Sequence, residues 1–542
     1  MLADGLQPSV GLPILFFSII IYLLLGDYIR HSSLRKVPGP PSFALTRYRL
    51  AYSAFQGHRC ATIHELHEKY GPVVRVTPTE ISFSSLSALR TIYGAGSGFE
   101  RTDFYRMFDV YGAPNLFSFR SVRDHRERKK LLSHAYSNQM ILNPHNTALV
   151  EGKVAQYINF LRTEPEIASE TFASLHYFSF DTISEFMYGP EHGGTKAMVG
   201  NQQDRNLLYD ILHPSRRRLA WFAVHFPAYT KWITTRVGLL DRLITKLGLL
   251  PMRRPFMYSG IRSHALRAFH SMKNGGPEVW KRYSETTILG RLLSLQSTTG
   301  LTDMEIASEC ADQLLAGIDT TSDSSMFLIW ALSRPENKIY QDRLRAELLT
   351  NLTFDPTTGV PELKSALHLP YLNAVIRETL RLYAPLPTSE PRSSPVPVLI
   401  DNHLIPAGTT VSMSPYTLHR SPHAFPSPLT FNPERWLLPI SSPPSNTPIT
   451  TTTTKPTYTP LPTSSPPNQY FWSFSSGGRM CIGLHLAMAE MTCLIAAIYG
   501  NFETGLPKNK KDLHIVNEKK GTINTNSEPY YLSIYLFINQ SK

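Results

Sequence analysis

Cys481 stands in the run Phe474-Ser475-Ser476-Gly477-Gly478-Arg479-Met480-Cys481-Ile482-Gly483, among three glycines and two residues after an arginine. Cysteine binds metal only as the thiolate, and nearby cations and backbone N–H groups favour that form. Glycine permits tight turns and close approach of the backbone to a flat ligand. Arg479 is a permanent planar cation suited to carboxylates. Leu484 to Tyr499 reads as a helix, with Leu486, Ala487, Met491, Leu494 and Ile495 on offer for an apolar face. Cys481 therefore sits just ahead of a helix N-terminus, whose dipole favours an anion. The pattern supports a thiolate ligand for a metal or for a metal-bearing macrocycle. Zinc fits poorly, because it takes several Cys or His ligands at short spacings, and Cys60, Cys310 and Cys493 form no paired C-x-x-C. The plainer alternative is a turn before a helix, with an inert cysteine.

Three further constellations carry candidate chemistry. Thr302-Asp303-Met304-Glu305 has the form of a capping box and opens a long helical segment whose middle reads Ala316-Gly317-Ile318-Asp319-Thr320-Thr321. Glycine there costs about 1 kcal/mol and hydroxyls compete for backbone carbonyls. Such a local conflict marks either a functional groove or a kinked core helix whose hydroxyls bond back to the previous turn. Glu378 and Arg381, three apart in a second helical segment, share one face; alone, such a pair is an ordinary surface bridge worth under about 1 kcal/mol. Arg435 follows in Pro433-Glu434-Arg435-Trp436. The run His125-Arg126-Glu127-Arg128-Lys129-Lys130 reads as a basic helix face, either solvated or suited to docking an acidic partner.

In their order along the chain, the four motifs resemble those of the cytochrome P-450 family. Phe474, Gly477, Arg479, Cys481 and Gly483 match the spacing of its heme-binding loop, and the likeness runs from roughly Pro38 to the C-terminus. The resemblance implies heme b with Cys481 as the axial thiolate ligand of its iron and Arg479 at a propionate. It implies that Asp319 relays protons while Thr320 holds water and dioxygen. Glu378, Arg381 and Arg435 would form a buried structural network behind the loop. Arg392 follows Pro391 where members often carry a heme-contacting arginine. His125 and Lys129 stand where many members have Trp and Arg, a departure, since lysine lacks the planar fork of arginine. The implied activity is that of a heme-thiolate monooxygenase. A heme-thiolate isomerase, dehydratase or peroxygenase would share Cys481 without needing Asp319 and Thr320, and a non-catalytic heme protein is the remaining alternative.

The rest of the chain must position these residues. Its 542 residues, 42% apolar and 18% charged, suit a globular protein, and four scattered cysteines give no disulfide framework. Val10 to Gly26 is an uncharged apolar run, just long enough to span a thin bilayer, followed by Arg30, His31, Arg35 and Lys36. The expected organisation is a single-pass anchor with basic flank over 1–36 and a catalytic domain over 37–542, facing the cytosol from the endoplasmic reticulum membrane. The expected fold is mainly α with a small β-rich region, in which Ala61 to Tyr70 reads as a helix and Val73 to Phe83 as strand. Gly94-Ala95-Gly96-Ser97-Gly98-Phe99 is an ordinary loop, since a dinucleotide fingerprint would need glycine at Phe99. With no nicotinamide or flavin module in the chain, electrons must come from a partner, by resemblance an NADPH-dependent flavoprotein reductase with cytochrome b5 as an optional second donor. The tract Ser441 to Pro467, rich in Ser, Thr and Pro, is expected to be a disordered or extended insertion. The net charge of +12 suits anionic lipid and an acidic redox partner; no basic run interleaved with aromatics points to nucleic acid. Phe104, Tyr105, Met107, Phe108, Leu116 and Phe117, and the stretch Trp221 to Trp232, are candidates for an apolar pocket and a lipophilic substrate. The wording of the motifs and the insertion look most like filamentous-fungal members of specialised metabolism.

Overall fold

A helix that is buried over most of its length and circumference sits at the centre of a protein, and the segment opened by Thr302 is such a helix. The Thr302 side chain accepts from the Glu305 N–H and Glu305 returns the bond to the Thr302 N–H, so the capping box is complete. The helix then runs unbroken for 31 residues. Its interior hydroxyls bond back one turn, Ser322 to the Ile318 carbonyl at 2.7 Å and Ser333 to that of Ile329 at 2.6 Å. Those two hydroxyls are thereby satisfied within the helix. The computed structural model describes residues 28–163, 169–212, 238–248, 260–439, 458–506 and 535–540, with isolated residues between 13 and 26 and between 221 and 229.

The helices that bear on the site are α1 (Arg59–Tyr70), α2 (Leu86–Tyr93), α3 (Val122–Leu132), α4 (Thr171–Tyr188), α5 (Gly260–Asn274), α6 (Asp303–Ser333), α7 (Pro370–Leu382) and α8 (Leu484–Asn501). The central α6 packs along α4 and against α5, α7 and α8. Gly317 lets α4 approach, since a Cβ there would stand 2.5 Å from Ile183 Cγ1. The large core is shared by these helices, with Ile318, Leu314, Val375, Leu494 and Ile495 among its fully buried members.

The strands are β1 (Val73–Arg75), β2 (Glu80–Phe83), β3 (Glu100–Arg101), β4 (Ser169–Glu170), β5 (Arg392–Ser393), β6 (Val398–Ile400), β7 (His403–Ile405), β8 (Thr410–Ser412), β9 (Leu437–Pro439), β10 (Tyr458–Pro460), β11 (Phe502–Gly505) and β12 (Tyr535–Gln540). The largest sheet has the order β1–β2–β8–β5–β3, with β2 and β8 parallel and the other pairs antiparallel. The fold is thus mainly α with small sheets, as expected. Val73 to Phe83 is a hairpin rather than one strand, because Pro78 has no N–H for a ladder and the chain turns there, Arg75 Nη2 donating to its carbonyl at 2.7 Å.

The Ser/Thr/Pro tract is only partly the insertion expected. Residues 440–457 lie outside the described residues. Its C-terminal part belongs to the fold: β10 pairs antiparallel with β9, and Asn468 of the short helix Pro466–Tyr470 accepts from Arg377 Nη2 at 2.6 Å. Most of the expected anchor, Val10 to Gly26, also lies outside the described residues, as do Ala223, Pro227 and Thr230 to Trp232 of the Trp221 to Trp232 stretch. Among the described residues no helix is long and apolar enough to cross a membrane.

Candidate active site

The cysteine loop folds back on itself through the Cys481 N–H, which donates to the Phe474 carbonyl at 2.9 Å. Gly477 is required where it stands, because its φ is +62° and a Cβ would lie 2.4 Å from the Tyr93 carbonyl oxygen at the end of α2. Gly478 and Gly483 differ: a Cβ at Gly478 would meet nothing within 4 Å, and one at Gly483 only the Cys481 sulfur at 3.9 Å. Those two glycines keep a face of the loop open toward space that no protein atom fills. Lys129 Nζ of α3 caps the loop by donating to the carbonyls of Gly478 at 2.9 Å and Met480 at 3.2 Å. Burial pushes the Cys481 thiol pKa up, against the opposing N–H groups of Gly483 and Leu484 and the charge of Lys129. The loop alone therefore does not hold a thiolate; a bound metal, which deprotonates its thiol ligand outright, would supply the rest.

Behind the loop, Glu378 and Arg381 are fully buried and joined by two parallel bonds of 2.9 Å. Arg435 Nε reaches Glu378 at 3.0 Å, and Glu378 also accepts from Trp436 Nε1 and the Asn432 N–H. The structure thus brings the three residues together and gives every carboxylate oxygen a partner. His419 transmits this network to the loop. Its Nε2 accepts from the Trp472 N–H at 2.8 Å, so its Nδ1 donates to the Arg381 carbonyl at 3.0 Å. The imidazole stays neutral, its pKa pushed down to about 3 by burial and then by the Arg381 charge. Ser473 adds a second tie, donating to the Leu380 carbonyl at 3.0 Å.

On α6, Ala316 is exposed although it lies midway along a buried helix. Cys481 likewise keeps accessible surface while burial dominates its thiol, so both border internal space. Thr320, one turn on, donates to the Ala316 carbonyl at 2.9 Å. This back-bond is the one expected of a core helix, but it is made at the open face. Asp319 instead points toward α4, where its carboxylate lies 3.7 Å from Nε2 of the buried His176, with Asp323 at 3.9 Å. His176 Nδ1 is fixed on the Phe172 carbonyl at 2.7 Å.

Cations gather at one edge of the site. Arg101 and Arg392 stand directly opposite each other in the β3–β5 register, a like-charge pair that destabilises a sheet. Arg392 is answered by Glu390 at 3.0 Å and by the Tyr105 hydroxyl at 2.8 Å. Arg101 donates to the Phe117 carbonyl, and its buried Nε has no hydrogen-bond partner among the described residues. Arg479 donates to the carbonyls of Phe119, Arg120 and Ser121 at 2.7 to 2.9 Å, tying the loop to the start of α3. Burial and then Arg101 and Arg392 push the Arg479 pKa down to about 9. His125 falls to about 2, through burial first and then Arg479, Arg101, Lys129 and Arg392. A cavity of about 400 Å³ opens here, lined by Tyr93, Gly94, His125, Lys129, Arg392 and Arg479 among others. Cys481 does not line it, so it is the cationic margin of the site rather than the face of the sulfur.

These features fit heme. An enclosed excess of positive charge is costly unless an anion shares the space, which suits propionates. Among the described residues no group of three or more His, Cys, Asp and Glu is placed to hold a bare metal ion, so a lone thiolate suits a metal that brings its own equatorial ligands. Gly478 is uncrowded and Ala316 is exposed within α6, so each leaves room for a flat ligand. Of the pocket candidates, Tyr105 and Leu116 are buried while Phe104 and Met107 are exposed. Tyr105 and Phe117 flank the Arg101 guanidinium, their ring centres 4.4 and 4.5 Å away. Sequence reasoning missed Arg101, His176 and His419, none of which stands in a motif.

Comparison with known proteins agrees with this geometry. The family model for cytochrome P450 matches residues 279–534. The chain is 31% identical over 473 residues to cytochrome P450 monooxygenase stcB of Emericella nidulans, covering 86% of this chain and 81% of that protein. It is 27% identical to benzoate 4-monooxygenase bphA of Aspergillus niger over 93% of both chains, and 28% identical to cytochrome P450 monooxygenase aflV of Aspergillus parasiticus over 89% of this chain and 86% of that one. With a cysteine loop, a central helix and a cationic margin arranged for heme, and with full-length likeness to such enzymes, the chain belongs to the cytochrome P450 family of heme-thiolate monooxygenases.

Proposed function

We propose that the protein is membrane-bound and uses dioxygen, with two electrons drawn from NADPH through a separate flavoprotein reductase, to hydroxylate or otherwise oxidise a lipophilic small molecule of fungal specialised metabolism. What supports this reading is an accessible Cys481 in its glycine loop together with the open face of α6 at Ala316 and Thr320. Bound heme would supply the redox chemistry that places one atom of dioxygen in the substrate and releases the other as water, consuming two electrons and two protons.

The chain's own residues hold the group and manage the protons. Cys481 would hold the heme iron through its thiolate, and Arg101, Arg392, Lys129 and Arg479 would neutralise the heme carboxylates. Neutral His125 packs among them as a hydrogen-bonding group rather than a charge. Thr320 Oγ1, already pinned to the Ala316 carbonyl, keeps its lone pairs and can hold a water at the open face. Asp319 accepts protons on the α4 side and passes them along the helix toward that water. The network of Glu378, Arg381 and Arg435 keeps the loop in register and does no chemistry.

Reduced protein treated with carbon monoxide tests the ligand assignment: a thiolate-ligated heme gives a strongly red-shifted band, and Cys481→His loses it. Turnover that needs both reductase and NADPH supports the monooxygenase reading. Product formation from peroxide alone, at the same rate, would favour a peroxygenase.

A further inference from the structure

We propose that Glu309 of α6 is a positioning residue for the reaction: it latches the loop 103–118 against the central helix and, through Arg128, ties that loop to α3. The assignment rests on the monooxygenase reading above and names what holds one wall of its substrate space.

The loop passes three sides of the site. Near its start, Arg392 of the cationic margin donates to the Tyr105 hydroxyl at 2.8 Å. Just beyond its end, the carbonyls of Phe119, Arg120 and Ser121 accept from Arg479 of the cysteine loop. Between those points it meets α6, where Ser308 donates to the Ala113 carbonyl at 2.8 Å and the Leu116 N–H donates to the Glu309 carboxylate at 3.0 Å. Glu309 precedes Ala316 by seven residues, so the two lie on one stripe of α6, about 10 Å apart along its axis. A segment fixed at the cationic margin, the cysteine loop and this stripe walls the space that Ala316 borders.

Glu309 serves two elements at once. Besides the Leu116 N–H, its fully buried carboxylate accepts from Arg128 Nη1 at 2.9 Å and from Gln313 Nε2 at 2.7 Å. Each of these neighbours donates, which suits the ionised, acceptor-only form; burial pushes the pKa up, and Arg128, Gln313 and the Leu116 N–H act against it. Arg128 turns its other terminal nitrogen to Glu305 at 3.3 Å, so α3 is held to two successive turns of α6. The loop is braced within itself as well. Asn115 Oδ1 accepts from the N–H groups of Phe117 at 3.1 Å and Ser118 at 3.0 Å, while Asn115 Nδ2 reaches the Phe108 carbonyl at 2.8 Å. A knob braced in this way moves as a unit, and Glu309 is the charged acceptor that α6 offers to its backbone. Without that acceptor the buried Leu116 N–H is an orphan donor, satisfied only when the loop lifts toward water.

Amide hydrogen exchange and ligand binding in the full-length holoprotein test the latch. Glu309→Met/Arg128→Met removes both buried charges together, an exchange that keeps stability where breaking the pair would not. Melting and the carbon monoxide band of this double variant should stay near the parent's, yet amides of 104–118 should exchange at least about tenfold faster, because Leu116 has lost a charged acceptor. A pair that served only to stabilise the fold would leave the loop as protected as in the parent. Imidazoles bind heme iron and shift its absorption band, so their entry can be timed: 4-phenylimidazole should associate at least about fivefold faster in the double variant, with the smaller imidazole within about twofold. Ser308→Ala keeps Glu309 and Arg128, and should speed exchange of the loop by a smaller factor; it carries the test should the double variant fail to load heme. Loop exchange equal to the parent's in these variants, exchange raised equally in α7 and α8, or equal acceleration of the two imidazoles would overturn the assignment. No band shift with imidazole would instead remove the heme reading, and exchange of the loop would still decide whether Glu309 holds it.

Discussion

The Thr320 hydroxyl spends its proton on the Ala316 carbonyl, so its value to the reaction lies in its lone pairs and position. Thr320→Ala removes a back-bond that contributes little to a helix and should leave heme content and melting nearly unchanged. Coupling should suffer: hydrogen peroxide released per NADPH should rise and product should fall by about 10- to 100-fold. Product yield per NADPH equal to the parent's would exclude Thr320 from proton handling. Asp319→Asn should act in the same direction, and His176→Ala more weakly, because His176 Nε2 lies 3.7 Å from the Asp319 carboxylate, beyond hydrogen-bond distance. Cys481, Asp319, Thr320, Glu378 and Arg381 were legible because each stands in a motif whose local chemistry is odd: a cation before a cysteine, a glycine and hydroxyls in a helix, an acid and a base on one face. Arg101 and His176 were not. Arg101 gains its meaning from a cross-strand partner 291 positions on, Arg392, and His176 from a helix contact with α6; no local pattern encodes either.

Elements transmit what residues cannot. The loop holds its shape because α7 fixes it twice, through the Arg381 carbonyl and His419 to Trp472 and through the Leu380 carbonyl to Ser473. Glu378→Gln removes the charge that answers two buried arginines, a loss of about 3–5 kcal/mol for a buried pair, and should yield protein with little heme and a clearly lower melting temperature. Heme loading equal to the parent's would separate α7 from the loop. In α8, Glu490 is buried among apolar side chains, its Oε2 without a partner among the described residues, and burial raises its pKa to about 8. Unfolded, it would titrate near 4.5. Between those values the native state binds more protons than the unfolded state, so stability falls as pH rises through that window, by at most about 1.4 kcal/mol per pH unit. Glu490→Gln should flatten that slope in apparent melting temperature; an identical slope would show that Glu490 is not the group responsible. The long helices α6 and α8 were readable from their apolar faces, and the capping box from four residues. The hairpin at Pro78 and the pairing of β10 with β9 were less so, because a strand needs its partner, and composition alone gave the Thr-rich tract no reason to end in one.

Across the whole molecule, the net charge of +12 is not spread evenly in its effects. The basic run on α3 left open a choice between gripping the cofactor, facing solvent and docking a partner, and the fold divides it by face. His125 and Arg128 are buried and Lys129 turns to the cysteine loop, whereas Arg123, Arg126 and Lys130 are exposed. The outer cations lie beside the cationic margin of the site, on the side where the loop of Cys481 reaches α3. An acidic reductase surface drawn to this face would approach the cofactor by a short route, and charge would set the encounter rate more than the final affinity. Reversing two of these charges, in Arg126→Glu/Lys130→Glu, should raise the reductase concentration for half-maximal NADPH oxidation by about tenfold at low salt, with the difference shrinking as added salt screens both proteins. Both side chains border that margin but make no hydrogen bond or ion pair to the cysteine loop among the described residues, so heme content and the carbon monoxide spectrum should change little. An unaltered reductase requirement with a flat salt response would leave Arg126 and Lys130 as a solvated face and place the docking surface elsewhere on the protein.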